Sequence, residues 1–180
     1  MRLSELVKKE IVPKMAKEYN LPILALPKLQ KVTINVGIGR YKDNNDSLKD
    51  IEAQLKNIAG QSPKAAKAKK SISGFKLRKG QIAAFVVTLR GKEMWNFVEK
   101  IIKIVLPGIR DFEGINPKNF DLNNNLTMPF REQTVFPEIK PDEIKDIWGM
   151  AISFTFINGK DKTILKKYLE LLGFVFIGGK

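Results

Sequence analysis

Lys31-Val32-Thr33-Ile34-Asn35-Val36 decides how this chain is expected to fold, because apolar and polar side chains alternate along it without a break. Successive side chains of a β-strand point to opposite sides of the sheet. The three aliphatic side chains are therefore predicted to face a hydrophobic core, while Asn35 and its polar neighbours face outward. A sheet with one buried side and one polar side follows from this stretch.

Helices are predicted on both sides of this strand, because apolar residues recur there three and four positions apart. Capping residues and glycines mark where these helices begin and end. The expected helices are residues 3–19 with a kink at Pro13, a helix capped by Asp46 and stopped by Gly60, a helix from after Gly91 to Pro107-Gly108, and a helix capped by Asp161 and stopped by Gly173.

Further strands are predicted at residues 81–90, 126–130 and 150–157, with a short one at the start of residues 62–79. Strands and helices mix without a regular βα repeat, which indicates an α+β fold. We expect a single domain over residues 1–180, with a mixed or antiparallel sheet, helices packed on one face and a ferredoxin-like character.

The composition excludes several classes of function. The 180 residues include no cysteine and no histidine, so thiol nucleophiles, Cys/His zinc sites and imidazole bases are excluded. The first ten residues lack the apolar core of a secretory signal, and no apolar run approaches the ~20 residues that cross a bilayer. We therefore expect a soluble cytoplasmic protein that is not an enzyme, needs no cofactor or metal, and contacts no membrane.

The positive charge is concentrated in the first part of the chain. The net charge is +13; residues 1–110 carry 23 Lys/Arg and 9 Asp/Glu, whereas residues 111–148 carry 4 and 8. No acidic residue lies between Glu52 and Glu93, a stretch that holds ten lysines and arginines. An ordinary solvated surface mixes its signs, so this pattern indicates a surface that follows a phosphate backbone.

Residues 69–80 are predicted to form a basic protruding loop. Ile72, Phe75 and Leu77 lie there among five cations, and two glycines permit tight turns. These apolar side chains could lie against the bases or riboses of RNA, or pack back onto the sheet, and the sequence leaves both alternatives open.

Two other motifs have a functional and a plain interpretation. Gly37-Ile38-Gly39 after a strand resembles a dinucleotide-binding loop, but the third glycine of that motif is missing. The two glycines could instead let backbone N–H groups approach a phosphate, or simply turn the chain. In the polar loop 111–125, expected to order on binding, Asp111, Glu113 and Asp121 could hold Mg²⁺, but no spaced acidic motif favours this over solvated loop acids.

Six segments of the chain together point to one family: Lys31–Gly39, Ile58–Pro63, Lys69–Arg78, Val87–Gly91, Leu106–Phe112 and Phe136–Ile139. They closely resemble the bacterial ribosomal protein L5 family, and the match runs in order from about residue 5 to residue 176. The family usually carries a glycine-arginine-glycine turn where this chain has residues 120–125, and residues 177–180 look like a disordered tail.

The resemblance implies a structural protein of the central protuberance that binds 5S rRNA and anchors it, near 23S rRNA and other large-subunit proteins. It also implies a contact with the P-site tRNA and a bridge to a basic protein of the small-subunit head. Three sets of residues are carried over by matching segment. They are Asn35, Gly37, Gln61, Lys64, Thr88 and Arg90 for rRNA; Lys70, Ser71, Ile72, Ser73, Gly74, Phe75, Lys76 and Arg78 for tRNA; and Arg110, Asp111, Glu138, Asp142, Glu143 and Asp146 for the bridge.

The residues themselves are consistent with this assignment. Asn35 lies on the polar side of its predicted strand, and Thr88 shares a side with Arg90. The acidic segment 111–148 suits a basic protein and would repel RNA. We expect recognition of RNA shape and backbone rather than base sequence. The alternative is a non-ribosomal RNA- or protein-interaction module with a basic groove.

Overall fold

The computed structural model describes residues 2–41, 43–75, 77–110, 112–140, 142, 144–159 and 161–177. Residues 178–180 of the expected tail lie outside this part. The helices are α1 (Leu3–Leu6), α2 (Val12–Tyr19), α3 (Asn45–Ala59), α4 (Gly91–Lys100), α5 (Leu106–Gly108) and α6 (Lys162–Leu172), and the strands are β1 (Lys28–Gly37), β2 (Lys64–Lys67), β3 (Ile82–Leu89), β4 (Leu126–Phe130) and β5 (Met150–Ile157).

The strands form one five-stranded antiparallel sheet in the order β2-β3-β1-β5-β4, which confirms the predicted α+β class. β2 and β3 pair with Lys64 opposite Val86 and Ala66 opposite Ala84. One side of the sheet is buried: the three aliphatic side chains at positions 32, 34 and 36 are fully buried, as the alternation predicted.

The residue contacts divide the chain into two compact units, and β1, β4 and β5 each run from one unit into the other. Unit 1 comprises residues 1–32, 90–128 and 153–180, and unit 2 comprises residues 33–89 and 129–152. Each has its own apolar interior. In unit 1, Phe154 packs edge-on against Phe174 with ring centroids 5.4 Å apart, and in unit 2 Phe130 packs against Phe136 at 5.8 Å.

Two π-helical segments interrupt the predicted helices, and each ends two residues before a proline. Val7–Ile11 precedes Pro13, and Ile101–Val105 precedes Pro107. Proline has no N–H and its ring crowds the carbonyl four residues earlier, which in both cases belongs to the π-helical segment. A widened turn relieves this clash, so the helical run continues through Pro13 and reaches Gly108.

The helix ends follow from local sequence with one correction. Asp161 accepts hydrogen bonds from the N–H groups of Thr163 and Ile164, and Gly60 and Gly173 end their helices with left-handed backbone, as predicted. The prediction that Asp46 caps α3 is wrong: Asn44 is the cap and accepts from the N–H groups of Asp46 and Ser47. Asn44 has extended backbone, whereas Asp46 already lies in the first helical turn.

None of the helices in the described part of the chain is long and apolar enough to cross a membrane.

In unit 1, the side chain of Asp121 organises the turn at residues 121–125. Its Oδ1 accepts the N–H groups of Asn123 and Asn125 at 2.9 and 2.7 Å, and its Oδ2 accepts the side-chain amide of Asn125. The side chain of this aspartate thus closes the turn.

Candidate nucleic-acid interface

The open side of the sheet in unit 2 presents polar and small side chains. Asn35 is exposed in β1 between two fully buried neighbours, and Thr88 is exposed in β3, the strand that pairs with β1. Lys64 lies opposite Val86 and therefore shares the open side with Thr88, about 7–8 Å away as a diagonal neighbour. An amide, a hydroxyl and an ammonium group are thus presented together.

Two more predicted residues lie at the ends of these elements. Gln61 is exposed directly after Gly60, which ends α3, and Gly37 is the exposed last residue of β1. Within the described chain, the side chains of Asn35, Gln61 and Thr88 have no hydrogen-bond partner. Their donors and acceptors are therefore available to a ligand.

Arg90 belongs to unit 1. It follows β3 directly, has extended backbone with φ −139° and ψ 163°, and is exposed. Elsewhere on the open side in unit 1, the hydroxyls of Thr127 and Ser153 are 3.0 Å apart and satisfy each other.

The cations between Glu52 and Glu93 are all exposed wherever the structure describes them, and Lys76 lies outside the described residues. Among the described residues, ion pairs join Lys103 to Glu99, Lys145 to Asp50 and Lys166 to Glu170, and no described cation of this stretch is paired with a carboxylate. The positive charge of this stretch is therefore left for an anionic partner.

Residues 69–80 form an excursion between β2 and β3 that is closed at its base. Ile72 and Leu77 exchange two backbone hydrogen bonds of 2.9 and 3.1 Å, and the hydroxyl of Ser71 accepts the N–H of Lys79. Ile72 is 48% exposed, whereas Leu77 is less exposed than Ile72. The backbone of Ser73–Phe75 makes a 3₁₀ turn, while the Phe75 side chain and Lys76 lie outside the described part.

The acidic residues assigned to a protein bridge differ in their availability. Asp142 is exposed, whereas Glu138 and Asp146 are half-buried. The carboxylate of Asp146 accepts a 2.7 Å hydrogen bond from Ser47 Oγ. The neighbouring Lys145 donates a hydrogen bond to Asp50, and this bond raises the pKa of Lys145. Arg110 is exposed in unit 1, and Asp111 and Glu143 lie outside the described residues.

No group of three or more metal-ligating side chains occurs among the residues that the structure describes. Asp121 in particular uses both carboxylate oxygens for N–H donors of its own turn.

Unit 2 also contains a cleft that no sequence pattern predicted. It lies between the segment after β1 and the residues Arg131-Glu132 and Ile147–Gly149. Arg40, Tyr41, Arg131 and Trp148 line it together with Gly37. Gly37-Ile38-Gly39 was the only signal in the sequence, because the opposite wall comes from a distant part of the chain.

Comparison with known proteins gives matches along nearly the whole chain. The family model of ribosomal protein L5 matches residues 23–78, and the model of the C-terminal part of that family matches residues 82–176. Similar proteins include the large ribosomal subunit protein uL5 of Fervidobacterium nodosum, 46% identical over 97% of this chain and 95% of the relative. The uL5 protein of Pseudothermotoga lettingae is 47% identical over 97% of this chain and 95% of the relative. That of Thermotoga maritima is 44% identical over 98% of this chain and 96% of the relative.

Proposed function

Because this chain belongs to the ribosomal L5 family, we propose that it binds 5S rRNA through the open side of its sheet and anchors it in the central protuberance. The protein is a structural, non-enzymatic component of the large ribosomal subunit, with rRNA and other ribosomal components as its partners. Family membership decides against a non-ribosomal interaction module. The 23S rRNA is proposed as a second RNA partner.

The observation that carries the 5S rRNA proposal is the presentation of Asn35, Lys64 and Thr88 on one uncovered side of unit 2. The opposite side of the same strands is buried against apolar residues, so the fold itself orients these polar groups. Two neutral groups that can donate and accept hydrogen bonds, beside one cation, suit ribose hydroxyls and phosphates. Gln61 and Gly37 extend the proposed set within unit 2, and Arg90 is added as a phosphate partner.

Recognition by shape and backbone follows from these side chains. The deep, narrow major groove of A-form RNA excludes side chains, whereas its shallow minor groove exposes 2′-hydroxyls. The open side of the sheet carries short side chains such as Asn35 and Thr88 and can therefore approach that groove closely. The exposed cations at 53–92 then supply affinity that depends on salt.

Two further contacts are proposed from other segments. The excursion of residues 70–78 contacts the P-site tRNA, supported by its exposed cations and the half-exposed Ile72. The bridge to a basic protein of the small-subunit head is proposed to use Arg110, Asp111, Glu138, Asp142, Glu143 and Asp146. Among those described, Asp142 is the most accessible carboxylate, because the carboxylate of Asp146 is already engaged by Ser47.

The test is a filter-binding titration of the full chain with 5S rRNA, comparing the wild type with the Asn35→Ala/Thr88→Ala double variant. Loss of two hydrogen bonds to RNA should weaken binding by about tenfold or more. A matched control is Asn96→Ala/Thr163→Ala, which removes the same side chains from exposed positions on α4 and α6. Equal affinities of the two double variants would contradict the proposed surface.

A further inference from the structure

Unit 2 contains an open cleft of about 690 Å³ next to the end of β1. The residues Asn35, Lys64 and Thr88, which are proposed to bind 5S rRNA, do not line this cleft. One wall is the segment Gly37–Tyr41, and the other is formed by the backbone near Arg131 and by Ile147–Gly149. This volume lies within the roughly 300–1,000 Å³ typical of small-ligand sites. The cleft is therefore large enough for one nucleotide.

The walls are held in place by hydrogen bonds within the protein. The Tyr41 hydroxyl donates to the carbonyl of Ile147 at 2.7 Å. The fully buried Gln133 accepts the N–H of Trp148 at 2.9 Å and donates to the carbonyl of Asp146 at 2.7 Å. Since these bonds need no ligand, the cleft is preorganised, which lowers the entropic cost of binding.

The glycines of the cleft differ in what they are needed for. A Cβ on Gly149 would meet the carbonyl oxygen of Phe130 at 2.8 Å, so the packing of the protein itself requires this glycine. A Cβ on Gly37 or Gly39 would meet no protein atom within 4 Å. Neither internal packing nor a left-handed backbone explains these two glycines, whereas close approach of a ligand to their backbone does.

The charged groups of the cleft favour an anion. Arg40 and Arg131 are exposed, and neither pairs with a carboxylate among the described residues. The one acidic lining residue, Glu132, accepts a hydrogen bond from the hydroxyl of Thr134 on its own turn. Guanidinium groups bind phosphate in a planar, bidentate geometry, which makes a phosphate group a suitable ligand.

The uncharged part of the lining suits a flat ring. The Tyr41 side chain is half-buried and tethered beside Ile147, whose side chain is 58% exposed. Unpaired RNA bases are commonly bound by stacking on aromatic side chains. An acidic peptide would use the arginines but leave this apolar surface uncovered, so the combination favours a nucleotide.

We infer that this cleft binds one unpaired nucleotide of the bound rRNA, with the base against Tyr41 and Ile147 and the phosphate near Arg40 and Arg131. The backbone at Gly37 and Gly39 allows the close approach. The inference rests on the proposed function for the source of the nucleotide. The binding chemistry of the cleft can nevertheless be tested without any rRNA.

The first experiment is an NMR titration of the full chain with adenosine 5′-monophosphate. Shifts confined to residues 37–41, 131–132 and 147–149 are expected, and Arg40→Ala/Arg131→Ala should weaken binding about tenfold or more. Arg2→Ala/Lys14→Ala removes two exposed cations elsewhere and should leave the affinity unchanged. Absent shifts, or shifts scattered over the protein, would overturn the inference. So would tighter binding of a glutamate-rich peptide than of the nucleotide at these residues in a parallel titration.

A second variant blocks the cleft by volume. Gly39→Val extends a side chain into open space at its wall, and Gly108→Val is the matched control, because a Cβ there also meets nothing within 4 Å. Gly39→Val should abolish nucleotide binding and weaken 5S rRNA binding at least about fivefold. Fivefold corresponds to the smallest loss of affinity expected when one base no longer stacks on an aromatic side chain. Equal affinities of the two valine variants for the nucleotide and for 5S rRNA would refute the inference.

Failure of the wild type to bind 5S rRNA would refute the proposed function instead. The nucleotide titration would still show whether the cleft binds a nucleotide.

Discussion

The side-chain carbonyl of Gln133 accepts the backbone N–H of Trp148 over 2.9 Å, and Gln133 has no exposure to solvent. Its amide donates to the carbonyl of Asp146 at 2.7 Å. The side chain of Gln133 therefore provides the hydrogen bonds that a neighbouring strand would otherwise give to the backbone of residues 146–148. These bonds hold one wall of the unit 2 cleft in place.

Replacing Gln133 with alanine should destabilise the protein by about 2 to 4 kcal/mol. The variant leaves the buried N–H of Trp148 and the partly buried carbonyl of Asp146 without their partner, and an unpaired buried group costs about 1–3 kcal/mol. Chemical denaturation of Gln133→Ala measures this. Gln30→Ala, at an exposed position of β1, should change stability by less than about 0.5 kcal/mol. A similar small effect for Gln133→Ala would show that the 146–148 backbone does not depend on it.

The affinity for 5S rRNA should fall steeply with salt. If about six phosphates are neutralised, the log–log slope is roughly −4 to −5. Lys64→Ala should reduce the magnitude of that slope by about one, because it removes a single phosphate partner. Filter binding at several salt concentrations gives the slope directly. A slope near zero would rule out a backbone-tracking surface.

Truncation of residues 72–77 should spare 5S rRNA binding and perturb the tRNA contact. The backbone of Ala68 bonds to Gly80 and Gln81 at 2.9 and 2.8 Å, so β2 and β3 stay joined without the tip. The measurement compares 5S rRNA affinity with tRNA crosslinking in assembled ribosomes. Equal losses in both assays would contradict separate surfaces.

Charge reversal at Asp142 should weaken binding to a basic small-subunit head protein, because its exposed carboxylate is available for an ion pair. Calorimetric titration of Asp142→Lys with that protein measures the effect. Asp43→Lys, at an exposed position outside the acidic segment, is the control. If the two variants bind alike, Asp142 is not part of the bridge.

The turn at residues 121–125 should loosen in acid. Partial burial, the largest single influence, raises the pKa of Asp121, but hydrogen bonds from Asn125 and from the N–H of Asn123 together hold that pKa below its usual value. A pKa depressed by folding contributes stability above the unfolded pKa that is lost as the pH falls through the folded one. NMR titration of Asp121 and its neighbours tests this. An ordinary aspartate titration would show that these bonds are not maintained in solution.

Local sequence predicted the elements well where one physical rule acted alone. Alternation identified the buried side of β1, and Gly60, Gly173 and Asp161 marked helix ends. The rule did not decide between Asn44 and Asp46, because both residue types cap helices and only the backbone conformation chooses. The π-helical turns before Pro13 and Pro107 were likewise not predicted, although proline chemistry explains their position.

The sequence by itself determined the fold class, the exposed position of Asn35, and the cationic stretch between Glu52 and Glu93. These depend on periodicity and charge, which are properties of neighbouring residues in the chain. Only the tertiary structure decided that Tyr41 meets Ile147, 106 residues later, and that Arg40 and Arg131 line one cleft. Such contacts arise when distant segments pack around a common core, and no local pattern encodes which segments will meet.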